Sequence, residues 1–232
     1  MNTDLLKTNG FKGYFLRLLF ILMVPVAQGV YFLLDFTTTR AYNITIFLDK
    51  LLPFNEWFVI PYIFWYAYTF GTLLVLAYTH SKTYFKLLFS ILAGMAVCFT
   101  VYYFFPTTVP RPHVAGDNFL QRLVLIIYRN DRPYNCFPSI HMLDTLLITL
   151  FVCKHSKKAA IKLSAAAICT VIYLSTQFIK QHSILDAVAS TVLGIILFFL
   201  FENEYVINKL SMLSDVLGNR KRIKELTQEG EI

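Results

Sequence analysis

The chain has 232 residues, is 56% hydrophobic and only 15% charged, and its apolar runs are far longer than a soluble core requires. That excludes an ordinary soluble helical domain and predicts an all-α, polytopic membrane bundle. The formal net charge of +7 is divided among short connections, so it gives no case for a nucleic-acid partner.

A helix needs about 20 apolar residues to cross a bilayer. Five stretches reach or approach that length, at residues 14–36, 58–79, 85–105, 159–178 and 184–201. A sixth, 140–153, is shorter, as expected if its start is recessed inside the bundle and lines a polar cavity. The first run is too long for a signal core and lacks a small-x-small cleavage site, so it is expected to be retained. Residues 1–202 are thus expected to form a six-span catalytic domain and 203–232 a charged cytoplasmic tail.

Between the first two spans, residues 44–52 form an amphipathic segment ended by Pro53, suited to the membrane interface. Trp57, Tyr62, Trp65 and Tyr66 open the second span and are read as headgroup-level anchors. The longest connection, 106–138, carries Arg111, Arg122, Arg129 and Arg132, and a loop of that length in a bundle is usually functional. Lys154, Lys157, Lys158 and Lys162 crowd the turn after the fourth span. Lys and Arg are nearly twice as frequent on that side as on the other, which puts both termini in the cytoplasm. The four cysteines have no metal-ligand spacing and are assigned no chemistry.

Three polar clusters interrupt the apolar chain on the opposite, extracytoplasmic side. They are Val109-Pro110-Arg111-Pro112, Pro138-Ser139-Ile140-His141, and Ser175 through His182 to Asp186. Pro138 stops any preceding helix and Ser139 is a good N-cap, so a helix start here would offer its N–H groups and positive dipole end to a phosphate. His141, in the first turn, could protonate a departing oxygen. His182 and Asp186 are four apart and share a helical face, so the carboxylate can fix the imidazole tautomer and leave one nitrogen free to attack. Asp144, three residues after His141, either orients it or makes a structural hydrogen bond.

These residues resemble the type 2 phosphatidic acid phosphatase superfamily, membrane lipid phosphatases related to glucose-6-phosphatase and vanadium haloperoxidases. The motif P-S-G-H is similar to Pro138-Ser139-Ile140-His141, and S-R-x-x-x-x-x-H-x-x-x-D to Ser175-Thr176 through His182 and Asp186. The first motif, K-x-x-x-x-x-x-R-P, matches only at Arg111-Pro112, with Phe104 at the lysine position. Thr176 replaces the third-motif arginine, and Lys180 or Arg132 could supply its charge. Ile140 in place of glycine resembles the P-S-L-H of the inositol phosphorylceramide synthase-like branch, which transfers phosphorylated head groups between lipids.

The resemblance implies a cell-membrane, metal-independent and cofactor-free lipid phosphate phosphatase or phosphotransferase. His182 would form a phosphohistidine, Asp186 would hold it, and His141 would protonate the leaving alcohol. Arg111, Ser139 and Lys180 would bind the phosphate. The acceptor, water or a lipid alcohol, stays open, as does an inactive lipid-binding or transport role.

Overall fold

The computed structural model describes residues 11–203, and the expected tail at 203–232 lies almost wholly outside them. The first apolar run makes two helices, α1 (Phe11–Ile21) and α2 (Met23–Thr37). The break has a local cause. Pro25 has no N–H to give the carbonyl four residues back, which is that of Ile21, the last residue of α1.

A two-residue strand β1 (Tyr42–Asn43) and a short helix α3 (Phe47–Leu51) follow, then a 3-10 turn and α4 (Val59–Thr79), α5 (Ser81–Phe104) and β2 (Thr107–Thr108). β1 and β2 pair in parallel, Tyr42 opposite Thr107. Beyond them lie α6 (Phe119–Asn130), α7 (Ile140–His155), α8 (Ala159–Phe178) and α9 (Ile184–Glu202). Among the described residues five helical stretches are long and apolar enough to cross a membrane: Gly13–Thr37, Glu56–Thr79, Ser81–Phe104, Ala159–Phe178 and Ile184–Glu202.

The sixth run is α7, 16 residues long. At 1.5 Å per residue it spans about 24 Å, less than the ~30 Å hydrocarbon layer. It is apolar on nearly every face because it is surrounded. Met142, Leu143, Leu147, Ile148 and Phe151 are fully buried. Two glycines let neighbouring helices approach it. A Cβ on Gly94 of α5 would sit 2.6 Å from Leu143 Cδ2, and one on Gly194 of α9 would sit 2.9 Å from Leu146 Cδ2.

The 106–138 connection is not simply polar. It contains α6, capped by Asn118, whose side chain accepts the Gln121 N–H at 2.9 Å. Apolar residues recur at Leu120, Leu123, Val124 and Ile127 and pack on Val59, Tyr62, Val114 and Ile179. Interspersed Arg122, Arg129 and Asn130 hide this period from a reading by composition.

Candidate active site

Residues 131–141 are pinned to β2. Thr107 Oγ1 accepts the N–H groups of Cys136 and Phe137 at 3.1 and 3.0 Å, and its carbonyl accepts that of Asn135. Asn135 has φ +55°, a region asparagine tolerates better than most residues. Tyr102 donates to the Pro138 carbonyl at 2.6 Å, and Ser190 to that of Ser139 at 2.9 Å. Ser139 caps α7, its Oγ accepting the Met142 N–H at 3.3 Å. The start of α7, and His141 with it, is fixed from three sides.

The second histidine is placed by a helix end and a helix start. The α8 C-terminus is a Schellman turn, in which Gln181 N–H bonds Thr176 O at 3.0 Å and Lys180 N–H bonds Gln177 O at 3.1 Å. Lys180 occupies its left-handed position, φ +57°, where glycine is usual. Ser183 and Asp186 then form a reciprocal capping box: Asp186 N–H donates to Ser183 Oγ at 3.3 Å and Ser183 N–H to Asp186 Oδ2 at 2.8 Å. The carboxylate held there is the one that meets His182.

His182 Nδ1 lies 3.2 Å from Asp186 Oδ2 and 3.1 Å from the Cys136 carbonyl. A carbonyl only accepts, so Nδ1 carries a proton, and in the neutral ring the lone pair is on Nε2. That Nε2 is 3.4 Å from His141 Nδ1. The other nitrogen of His141 is 3.0 Å from Tyr62 Oη, which also donates to Asp131 Oδ2 at 3.1 Å. Tyr31 donates to Asp131 Oδ1 at 2.5 Å and Gln181 to its Oδ2 at 3.4 Å. One hydrogen-bonded chain therefore joins Asp186, His182, His141, Tyr62 and Asp131. The Tyr62 hydroxyl has one proton: given to Asp131, it leaves His141 Nε2 to donate to Tyr62, and given to a neutral His141 ring, it leaves the Asp131 contact without a proton. A negative charge entering beside the rings favours protonated His141, which can donate to Tyr62 while Tyr62 donates to Asp131.

Both rings line a cavity of about 260 Å³, together with Tyr31, Tyr62, Trp65, Asp131 and Arg132. Tyr62 and Trp65, read from sequence as interface anchors, are instead 1% and 6% exposed, and the Trp65 ring lies 4.4 Å from that of His141. Their signal was the buried stripe Val59, Tyr62, Trp65, Thr69, Leu73 at helical spacing. Trp57 does remain outward, and Tyr66 is half-exposed at the cavity rim. Asp131 had no sequence signal, being one acidic residue in a long connection.

The expected phosphate contacts divide. Arg132 lines the cavity, its guanidinium 4.9 Å from the Tyr134 ring centre and donating to the Asp35 carbonyl at 3.1 Å. Arg111 stands one residue behind. It donates to Gln181 Oε1 and to the Tyr128 carbonyl, with its guanidinium 4.4 Å from the Tyr128 ring centre. Burial pushes the Tyr128 phenol up to about 12, so it stays neutral under the guanidinium. Ser139 is fully buried and committed to its cap. Lys180 does not line the cavity: its Nζ donates to the carbonyls of Asp49 and Leu52 at 2.9 and 2.6 Å. Burial lowers its pKa, and the nearby Asp49 carboxylate partly offsets this. Asp144 makes no hydrogen bond to His141; it is buried, with Oδ1 unpartnered.

A family model described as the PAP2 superfamily matches residues 32–200. The chain belongs to the PAP2 superfamily. No curated protein and no solved structure matches it. The PAP2 match spans all three polar clusters, from Arg111 to Asp186. With five apolar helices, PAP2 membership makes this an integral membrane protein and implies phosphatase or phosphotransferase activity. Among the described residues no group of three or more His, Cys, Asp or Glu could hold a metal ion.

Proposed function

We propose that the protein hydrolyses a membrane lipid phosphate ester through a phosphohistidine on His182. The observation that carries this is the His182 environment. Its Nδ1 is tied to Asp186 and Cys136, so the Nε2 lone pair faces His141 at the edge of the cavity. His182 Nε2 attacks phosphorus, and the Asp186 carboxylate stabilises the cationic ring that results. His141 gives its proton to the leaving alcohol and then takes one from the acceptor. Arg132, Arg111 acting through Gln181, and the positive end of α7 balance charge on the phosphoryl oxygens. None of these steps is routed through a metal ion.

The site faces away from the cytoplasm in this reading, with α7 as a sixth, short span. The excess of Lys and Arg at the opposite connections supports it, with Arg111 and His182 in the connections at the other end of the helices and His141 in the first turn of α7. A lone cysteine at position 118, in a chain otherwise free of cysteine, should react with an impermeant reagent in intact cells. Reaction only after the cells are opened reverses the orientation.

A second reading, head-group transfer to a lipid alcohol as in the inositol phosphorylceramide synthase-like branch, is favoured by the cavity rim. Phe32, Ile63 and Ile126 line the cavity and are 41%, 39% and 52% exposed, so its mouth is apolar and suits an acceptor arriving from the lipid. Incubating purified protein with labelled lipid phosphates, with and without a lipid alcohol, separates the two. Hydrolysis releases water-soluble label, whereas transfer produces a new labelled lipid only when the alcohol is present. Failure to trap an acid-labile phosphoenzyme in either arm would overturn both.

A further inference from the structure

The catalytic cavity contains a carboxylate. Asp131 lines it, held by Tyr31, Tyr62 and Gln181, and among the described residues its one charged companion in the lining besides the histidines is Arg132. The fixed charge of this lining, with the histidines neutral, is therefore zero. Phe104 and Thr176 stand where two cations of the resembled motifs would be, and Thr176 is fully buried with its hydroxyl on the Tyr173 carbonyl. A phosphate monoester carrying up to two negative charges meets a repulsive carboxylate here, with Arg132 the one cationic side chain among the described lining residues to set against it.

The rest of the wall is aromatic. Tyr31, Tyr62, Trp65, Tyr66 and Tyr134 line the same cavity as Asp131. Rings beside a carboxylate suit an ammonium ion, attracted both by the ring faces and by the negative charge. At about 260 Å³ the cavity is smaller than the roughly 300 Å³ at which pockets for drug-sized molecules begin. It accepts a head group and leaves acyl chains at the apolar rim.

We propose that the substrate is a phosphodiester whose head group carries an ammonium ion, and that Asp131 and the surrounding rings seat that ion. This rests on the phosphoryl-transfer reading for its chemistry and narrows the substrate to a zwitterion. The single negative charge of the diester faces the histidines and Arg132, and the ammonium faces Asp131. A polyol head group could also bond the carboxylate but would gain much less from the ring faces.

The test separates binding from chemistry. His182→Ala protein with Trp57→Phe, kept in a maltoside detergent, is titrated with glycerophosphocholine, glycerophosphoinositol and glycerol phosphate while Trp65 fluorescence is read. Glycerophosphocholine should bind at least about tenfold tighter than the other two, and Asp131→Asn should remove that preference. Equal binding of the three overturns the proposal, as does an Asp131→Asn variant that weakens all three alike, because that marks Asp131 as support for Tyr62 alone. If Asp131→Asn does not fold, Tyr66→Leu at the half-exposed rim should weaken glycerophosphocholine alone, and an unchanged preference there counts against the proposal. Selective binding without any phosphoenzyme in the wild-type chain would sink the catalytic reading and leave this one standing. The reverse pattern would do the opposite.

Discussion

His182 Nε2 and His141 Nδ1 touch directly, 3.4 Å apart. A phosphoryl group in line between a nucleophile and a proton donor needs roughly 6 Å or more, from an attack distance of about 3 Å, a P–O bond and a hydrogen bond of about 2.8 Å. Substrate must therefore part the rings, and the two rings then act at different points of the reaction. His182→Ala should abolish turnover and the phosphoenzyme. His141→Ala should slow esters of poor leaving groups by about 10² or more and spare a p-nitrophenyl ester. Equal losses on both ester types for the two variants would remove these assignments.

Among the described residues Tyr62 is the one side chain bonded to both His141 and Asp131. Tyr62→Phe keeps the ring against His141 and deletes both hydrogen bonds. The expected loss is about tenfold in kcat, with phosphoenzyme formation slowed and KM little changed, because the hydroxyl sets the proton on His141 and does not hold substrate. A rise in KM at constant kcat would show that the hydroxyl contacts substrate instead.

Arg132 and Lys180 should separate cleanly. Arg132→Ala removes the cavity cation and should lower kcat/KM by at least about tenfold, with Arg132→Lys restoring only part of it. Lys180→Ala should leave KM close to wild type and lower the melting temperature, since it loses two hydrogen bonds while a side chain stays at φ +57°. Lys180→Gly loses the same bonds but relieves the left-handed backbone by about 1 kcal/mol, so it should melt above Lys180→Ala. A Lys180→Ala variant with weakened substrate binding and unchanged melting would return that residue to the phosphate site.

Cys136 lines the cavity but is 3% exposed, and burial together with the Asp186 and Asp131 carboxylates raises its thiol well above the ordinary range. The raised pKa leaves almost no thiolate at pH 8, the form that reacts. Peptide mass spectrometry after iodoacetamide treatment at that pH should find Cys136 unmodified when a free peptide thiol has reacted fully. Rapid modification would mean that the loop opens in solution.

The membrane character of the chain, the helical runs and the polar clusters carrying His141, His182 and Asp186 were legible in the sequence. Each depends on neighbours within a few residues: run length, a cap before a helix, a four-residue spacing. The amphipathic α6 was legible in principle, but its period at Leu120, Leu123, Val124 and Ile127 was masked by the polar residues between. The direction of Lys180 was not legible, because it depends on a left-handed backbone at the end of α8 and on carbonyls about 130 residues away at Asp49 and Leu52. Nor were the places of Tyr62, Trp65 and Asp131. Aromatic residues at a span start suit lipid headgroups and an active-site wall equally well, and only the packing of α4 against α6 and the start of α7 put two of these rings beside a histidine. The charge balance of the cavity was likewise decided by tertiary structure, since it depends on which of the scattered Arg, Lys and Asp side chains the fold turns inward.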